Sequence, residues 1–286
     1  MKKLLAILLV VSCFFPFYSQ AQTETTKLTE TVIKPIRILI VPGHDNEVWG
    51  AEYGNLKEAD MNLALATEIF NIFKKDKRFE VYITRDQNGY VKEFSDYFSK
   101  EKDNIIDFKN NAKKEALNKI TNGDFITKTT VPHNAVSAST SVKLYGINKW
   151  VNENNIDVVL HVHFDDNDRG SNKWKIGPYK GFTVYYPDIQ MVNAKESTKL
   201  AGDIFLKLYG KYSTSTLPKE KGGFIADQKL IALGASGTLN KSVRAVLIEY
   251  GYIYQKILRN STTRHQAYKN MASLTVKGIT NYFFKK

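Results

Sequence analysis

Apolar positions along this chain fall into two alternating rhythms. Short, nearly continuous runs occur at 36–41, 79–84, 156–163, 181–186 and 245–249. Runs of that length, rich in β-branched and aromatic residues, predict buried strands. Between them the spacing becomes helical. Met61, Leu65, Ile69 and Phe73 recur at every fourth residue and predict a helix over about 60–75. Val142, Tyr145 and Trp150 lie in a helix predicted over 140–154, and Leu200, Ile204 and Leu208 line one face of another over 194–212. A closing helix is expected over 266–284. Strand–helix–strand order implies right-handed parallel crossovers. The expected fold class is therefore α/β: three layers, α/β/α, with a mostly parallel twisted sheet and helices on both faces. Pro42-Gly43 and Pro187 end strands, while Gly222-Gly223 and Gly234-x-x-Gly237 mark loops. Region 88–130 departs from the rhythm. It is charged, with Phe94, Tyr97, Phe98, Ile105, Ile106 and Phe108 as packing points, and reads as a helical insertion or a cover over a groove.

The amino terminus adds a destination. Lys2 and Lys3 precede an apolar run from Leu4 to Val11, and Ser19-Gln20-Ala21 offers a small-x-small cleavage site. This pattern predicts a signal peptide over 1–21, followed by a polar lead-in over 22–35 and one domain over 36–286. The apolar run is short for a membrane-spanning helix, and no later run reaches the needed length. A second reading takes Val10-Val11-Ser12-Cys13 as a lipobox, with the leader ending before Cys13 and a lipid anchor on that residue. Either way the expectation is export, to the periplasm, the extracellular space or the cell envelope. Cys13 is the only cysteine, so the body of the chain uses no disulfide and no thiolate. A chain of this length buries an adequate core without one. The formal charge is +12, and removing Lys2 and Lys3 leaves 12 − 2 = +10. Such a charge favours polyanionic surroundings. Nucleic acid is not the expected partner, for there is no zinc-finger cysteine set and no arginine-rich recognition helix. The expected oligomeric state is a monomer.

Candidate chemistry gathers where the predicted strands end. His44 follows Ile38-Leu39-Ile40-Val41-Pro42-Gly43, His161 and His163 stand in 158–166, and Glu249 closes Ala245-Val246-Leu247-Ile248. Open α/β sheets bind ligands at the carboxyl edge, so imidazoles and a carboxylate there suggest a metal site with a general base beside it. Each residue also has a plainer reading. His44 could simply end a strand, and His163 could be a satisfied core histidine. Glu58 opens a helix, where a carboxylate is favourable for dipole reasons alone, and Glu47, Glu52 and Asp60 are rival ligands. Glu249 follows four apolar residues, a costly depth for a carboxylate that is neither paired nor functional.

Four short motifs, taken in order, give a resemblance. Pro42-Gly43-His44, Glu58-Ala59-Asp60-Met61-Asn62-Leu63, His161-Val162-His163-Phe164-Asp165 and Glu249-Tyr250-Gly251 resemble those of zinc-dependent N-acetylmuramoyl-L-alanine amidases over roughly 36–284. The resemblance implies that His44, Glu58 and His163 bind Zn2+ and that Glu249 is the catalytic acid/base. It also implies the substrate, peptidoglycan or muropeptides, cut at the amide between N-acetylmuramic acid and the L-alanine of the stem peptide. Two imidazoles and a carboxylate suit that chemistry, since they leave a fourth position for water. The chain departs from the family at Asp45-Asn46, where glycines are usual, and at Asp165, where asparagine is usual. His161 is a further departure, as a supporting hydrogen-bond donor or a competing ligand. His133 is a candidate substrate contact or a loop histidine, and Arg85 is expected to pair with a carboxylate or to hold an acidic stem peptide. Rival functions are a zinc carboxypeptidase acting on wall peptides and an inactive exported wall-binding protein. His-Glu-x-x-His, Gly-x-Ser-x-Gly and phosphate-loop motifs are absent.

Overall fold

The first strand, β1 (Ile36–Pro42), ends at the turn that presents His44. A hairpin of β2 (Glu52–Tyr53) and β3 (Leu56–Lys57) leads straight into α1 (Glu58–Phe73), so Glu58 is the first residue of that helix. Then follow β4 (Phe79–Ile83) and a second hairpin, β5 (Arg85–Asp86) with β6 (Gly89–Tyr90). Helices α2 (Lys92–Lys100) and α3 (Lys102–Thr121) occupy most of the charged 88–130 region, and α4 (Ala138–Glu153) precedes β7 (Val158–Asp165). The remainder is β8 (Thr183–Pro187), α5 (Ala194–Tyr209), β9 (Phe224–Asp227), β10 (Arg244–Tyr252), α6 (Lys256–Arg259) and α7 (Ser261–Phe284). This computed structural model describes residues 34–285 apart from Thr130, Asp168 and Ser171. The expected leader, Cys13 and the lead-in through residue 33 lie outside the described residues. No helix among the described residues is long and apolar enough to cross a membrane.

The main sheet has the order β4-β1-β7-β10-β8-β9. The first four strands are parallel, β8 runs antiparallel to β10, and β9 runs parallel to β8. Alternation along each strand divides the core. Ile38, Ile40, Val158, Leu160, Val162, Val246 and Ile248 pack against α1, α5 and α7. Leu39, Val41, Val159, Ala245 and Leu247 pack with Ile147, Trp150 and Val151 of α4 and with Phe94 of α2. Helix α3 lies against α4 through Ile105, Ala112 and Tyr145. The crossing of α5 and α7 is close: a Cβ on Gly278 would stand 2.6 Å from Ile204 Cα. The mostly parallel three-layer expectation holds.

The differences are local. β9 was not anticipated; it is a four-residue edge strand that follows the Gly222-Gly223 turn. β10 continues three residues past Glu249, with an irregularity in its pairing to β7 between Glu249 and Tyr252. Helix α7 starts at Ser261 rather than 266, because the Asn260 side chain accepts from the amides of Thr262 and Thr263.

Two buried polar groups hold the frame around the carboxyl edge. Arg85 was expected to pair with a carboxylate. Instead its guanidinium, 1% exposed, donates to main-chain carbonyls: Pro42 at 3.3 Å, Gly43 at 3.0 Å and Ala59 at 2.7 Å. It therefore ties the end of β1 to the first turn of α1. On the other side, His133 Nε2 lies 2.9 Å from Asp227 Oδ2 and fastens the segment after α3 to the end of β9. Burial pushes the Asp227 carboxyl up, but His133 and the amides of Lys229 and Leu230 outweigh it and hold the group below the usual carboxylate range.

Replacing Arg85 by Met strands three buried acceptors and is expected to cost about 3 kcal/mol in urea denaturation. Asp227 gives a pH signature. A depressed folded-state value stabilises above the unfolded value of about 4 and loses that stabilisation as pH falls through the folded value. Asp227→Asn should therefore lose less stability than the parent between pH 7 and pH 3; an unchanged difference would contradict this.

Candidate active site

At the carboxyl edge of the parallel strands, three side chains from three elements converge. Donor atoms of His44, Glu58 and His163 all lie within 4.8 Å of one another. His44 Nε2 is 3.1 Å from Glu58 Oε2, and His163 Nδ1 is 3.1 Å from Glu58 Oε1. Ligands spaced tetrahedrally at 2.0–2.1 Å from one Zn2+ would be roughly 3.3 Å apart, so the donor set fits such an ion in type and spacing.

The local sequence explains the convergence. His44 adopts φ 59°, a left-handed conformation unusual outside glycine, which turns its ring back over the strand end. Gly43 leaves room for the second imidazole, since a Cβ there would stand 2.1 Å from the His163 ring. Gly50 does the same for the others: its Cβ would lie 2.4 Å from Glu58 Oε2 and 2.6 Å from the His44 ring. Glu58 is buried at the positive end of α1. It accepts from the Ala51 amide at 3.0 Å and from Asn62 Nδ2 at 3.2 Å, and that same Asn62 nitrogen donates to Gly43 O at 3.0 Å.

Electrostatics follow depth. Burial pushes the Glu58 carboxyl up, yet hydrogen bonds and charge from His163 and His44 outweigh it and keep the group ionised far below its usual range. For His44, burial opposes protonation but Glu58 wins and raises the imidazole. For His163 burial wins, and the ring is held below the ordinary histidine value. It is thereby kept neutral, as a metal ligand must be.

Glu249 sits beside this cluster, in register with His163 across the β7–β10 ladder. Its Oε2 is buried and has no hydrogen-bond partner among the described residues. Burial, then the charges of Asp165, Glu58 and Glu220, push its carboxyl well above the usual range. Asp165 is raised to about 8, by burial and by Glu220. Glu220 itself is buried and accepts from Thr183 Oγ1 at 3.0 Å, Tyr185 OH at 2.5 Å and Tyr252 OH at 3.1 Å.

Several other expected contributors stand apart. His161 is outside the ligand cluster; it pairs in register with Val41 and Leu247, is buried, and its Nε2 has no partner among the described residues. Burial holds that ring down at about 3, so it is neutral. His133 belongs to the Asp227 pair and not to this cluster. Asp45 turns inward, accepting from the Glu47 and Val48 amides and pairing with Lys143 at 2.8 Å, so it orders the loop after His44. The rival ligands are occupied elsewhere or exposed: Glu47 meets Lys143, Glu52 meets Lys173, and Asp60 faces solvent. Asn62 and Glu220 were not singled out from the sequence. Asn62 was within reach, being four residues after Glu58 on one helix face; Glu220 gave no local signal.

Comparison with known proteins agrees with this arrangement. The N-acetylmuramoyl-L-alanine amidase family model matches residues 38–281. No curated protein sequence matches the chain. Among solved structures, an N-acetylmuramoyl-L-alanine amidase from Clostridium difficile 630 is similar over 88% of this chain and 98% of its own, with 17% identity and a TM-score of 0.53. The catalytic domain of CwlV, an N-acetylmuramoyl-L-alanine amidase from Bacillus (Paenibacillus) polymyxa var. colistinus, shares 14% identity over 87% of this chain and 98% of its own, with a TM-score of 0.53. An N-acetylmuramyl-L-alanine amidase from Mycobacterium smegmatis shares 12% identity, covers 87% of this chain and 97% of its own, and gives a TM-score of 0.55. At these identities the structures speak for the fold, and the family match speaks for membership. The chain belongs to the N-acetylmuramoyl-L-alanine amidase family.

Proposed function

We propose that this protein is an exported, zinc-dependent amidase that hydrolyses the bond between N-acetylmuramic acid and the L-alanine of peptidoglycan stem peptides. The observation that carries the reading is the joint convergence of His44, Glu58 and His163 with Glu249 beside them. The charged amino-terminal leader, ending near residue 21 or before a lipid-bearing Cys13, supports export to the cell envelope.

His44, Glu58 and His163 would hold the ion. When bound, Zn2+ lowers the pKa of a water molecule and polarises the scissile carbonyl. Glu249 takes a proton from the attacking water on its carboxylate and returns it to the nitrogen of the departing L-alanine. Its raised proton affinity suits both halves of that task, because a group that holds a proton too weakly cannot deliver it. Asp165 and Glu220 support this tuning by charge, and Glu220 stays in place through its three hydroxyl donors. Asn62 and the Ala51 amide orient the Glu58 carboxylate so that each oxygen faces one imidazole.

Replacing Glu249 by Gln should leave bound zinc unchanged by elemental analysis while turnover falls by about 10²–10⁴-fold. His163→Ala should lose both metal and activity. Turnover of Glu249→Gln at the parent rate would remove that residue from the mechanism. Mass analysis of digested muropeptides is expected to show intact stem peptides carrying a free L-alanine amine. Cleavage confined to bonds within the peptide would instead make the protein a wall peptidase.

A further inference from the structure

A second concavity opens at the same sheet edge, beyond Glu249. After β10 the chain turns, and the Gln255 side chain folds back to accept from the Tyr252 amide at 2.7 Å and the Gly181 amide at 3.3 Å. This turn and the 176–180 segment enclose a cavity of about 440 Å3. Its polar rim is formed by Lys180, Lys256 and Arg259, and its apolar sides by Ile176, Tyr179 and Ile257. No lining residue is acidic, and none of the three cations forms an ion pair among the described residues. Ile176 and Ile257 remain exposed although they face the same space.

The wall between this groove and the site is rigid and shared. Tyr254 accepts from the Tyr179 amide at 3.2 Å and packs so closely on Gly177 that a Cβ there would lie 2.3 Å from its ring. The Arg169 guanidinium is 5.5 Å from the centre of the Tyr254 ring and 5.6 Å from that of Tyr53. Arg169 also donates to Glu52 O at 2.6 Å, next to Ala51, whose amide holds Glu58. Asp166, the carboxylate nearest this wall in sequence, is taken up by Arg169 at 2.7 Å. The unpaired positive charge of the rim is therefore not neutralised from within.

The separation matches a peptide. The Gln255 side chain lies over Gly251, two strand residues and about 7 Å beyond Glu249. An extended peptide advances about 3.3–3.6 Å per residue. Chain leaving the reaction centre thus brings its second and third residues to the groove. We infer that this groove is a subsite for an acidic peptide: it holds the carboxylate-bearing residues that follow the one released at the Glu249 centre. Cations on the rim take the carboxylates, and Ile176, Tyr179 and Ile257 take small apolar side chains between them. The identity of the peptide rests on the amidase reading, whereas the preference for an anionic peptide rests on the groove alone.

Binding without turnover separates the two. The probe is the tripeptide L-alanyl-D-glutamyl-L-alanine, compared by calorimetry with the same tripeptide carrying both carboxylates as amides. The free acid should bind about tenfold more tightly at low salt, an advantage that shrinks as ionic strength rises. Combined substitution of Lys180, Lys256 and Arg259 by Gln should erase the difference between acid and amide. Substitution of all three by Glu should reverse it, and circular dichroism checks that each variant is folded. On N-acetylmuramoyl peptides the neutral variant should raise KM for the acid form while the amidated form shifts little. Equal binding of acid and amide by the parent protein would overturn the inference, as would equal loss of both in the variants. Tighter binding of a polyglycerol phosphate than of the tripeptide would overturn it too, by making the partner a wall polymer. Failure to hydrolyse muramoyl amides, with acid-selective binding intact, would sink the amidase reading and leave the subsite standing.

Discussion

One buried carboxylate governs this structure. Glu58 is 4% exposed, and an ionised group at that depth is costly unless it is surrounded by donors. Two imidazoles, a backbone amide, an asparagine side chain and the start of a helix supply what it needs. Those partners come from the turn after β1, the loop before β2, the body of α1 and the end of β7. Ionised Glu58 is stable only when all four segments are in place, so local packing and site geometry are coupled.

That coupling explains the surrounding glycines and the buried arginine. Gly43 and Gly50 stand where any side chain would push into a ligand ring or carboxylate. Arg85 binds the carbonyls that would otherwise be left bare where β1 ends and α1 begins. Across the ladder, Glu249 has the opposite character. Its buried oxygen lacks a donor and its neighbours are carboxylates, so it favours the protonated form while Glu58 favours the ionised one. Two glutamates placed a few residues from the same imidazole are thus driven to different protonation states by their surroundings, a separation suited to a ligand and an acid/base.

Legibility of the chain varies with the range of the interactions involved. The parallel strands and the helices α1, α4 and α5 were readable because periodicity is a local property of the sequence. β9 was not, since four residues after a glycine pair carry too little pattern to distinguish an edge strand from a loop. The reversed direction of β8 was equally hidden: its apolar run is the same read either way, and pairing with β10 sets its sense. His161 and His163 show the limit at the site. They are the same residue type, two positions apart on one strand, yet His163 lies against Gly43 and Glu58 whereas His161 is flanked by Val41 and Leu247.

The sequence by itself determined the layered α/β class, the residue types available for chemistry and their placement at strand ends, because each follows from spacing along the chain. Tertiary structure alone decided which carboxylate among Glu47, Glu52, Glu58 and Asp60 meets the histidines. It also decided that Arg85 answers carbonyls rather than an acid, and that Glu220 and Asp165 surround Glu249. Those outcomes depend on distances between segments tens of residues apart, and such distances are fixed only when the sheet closes and its edge is packed.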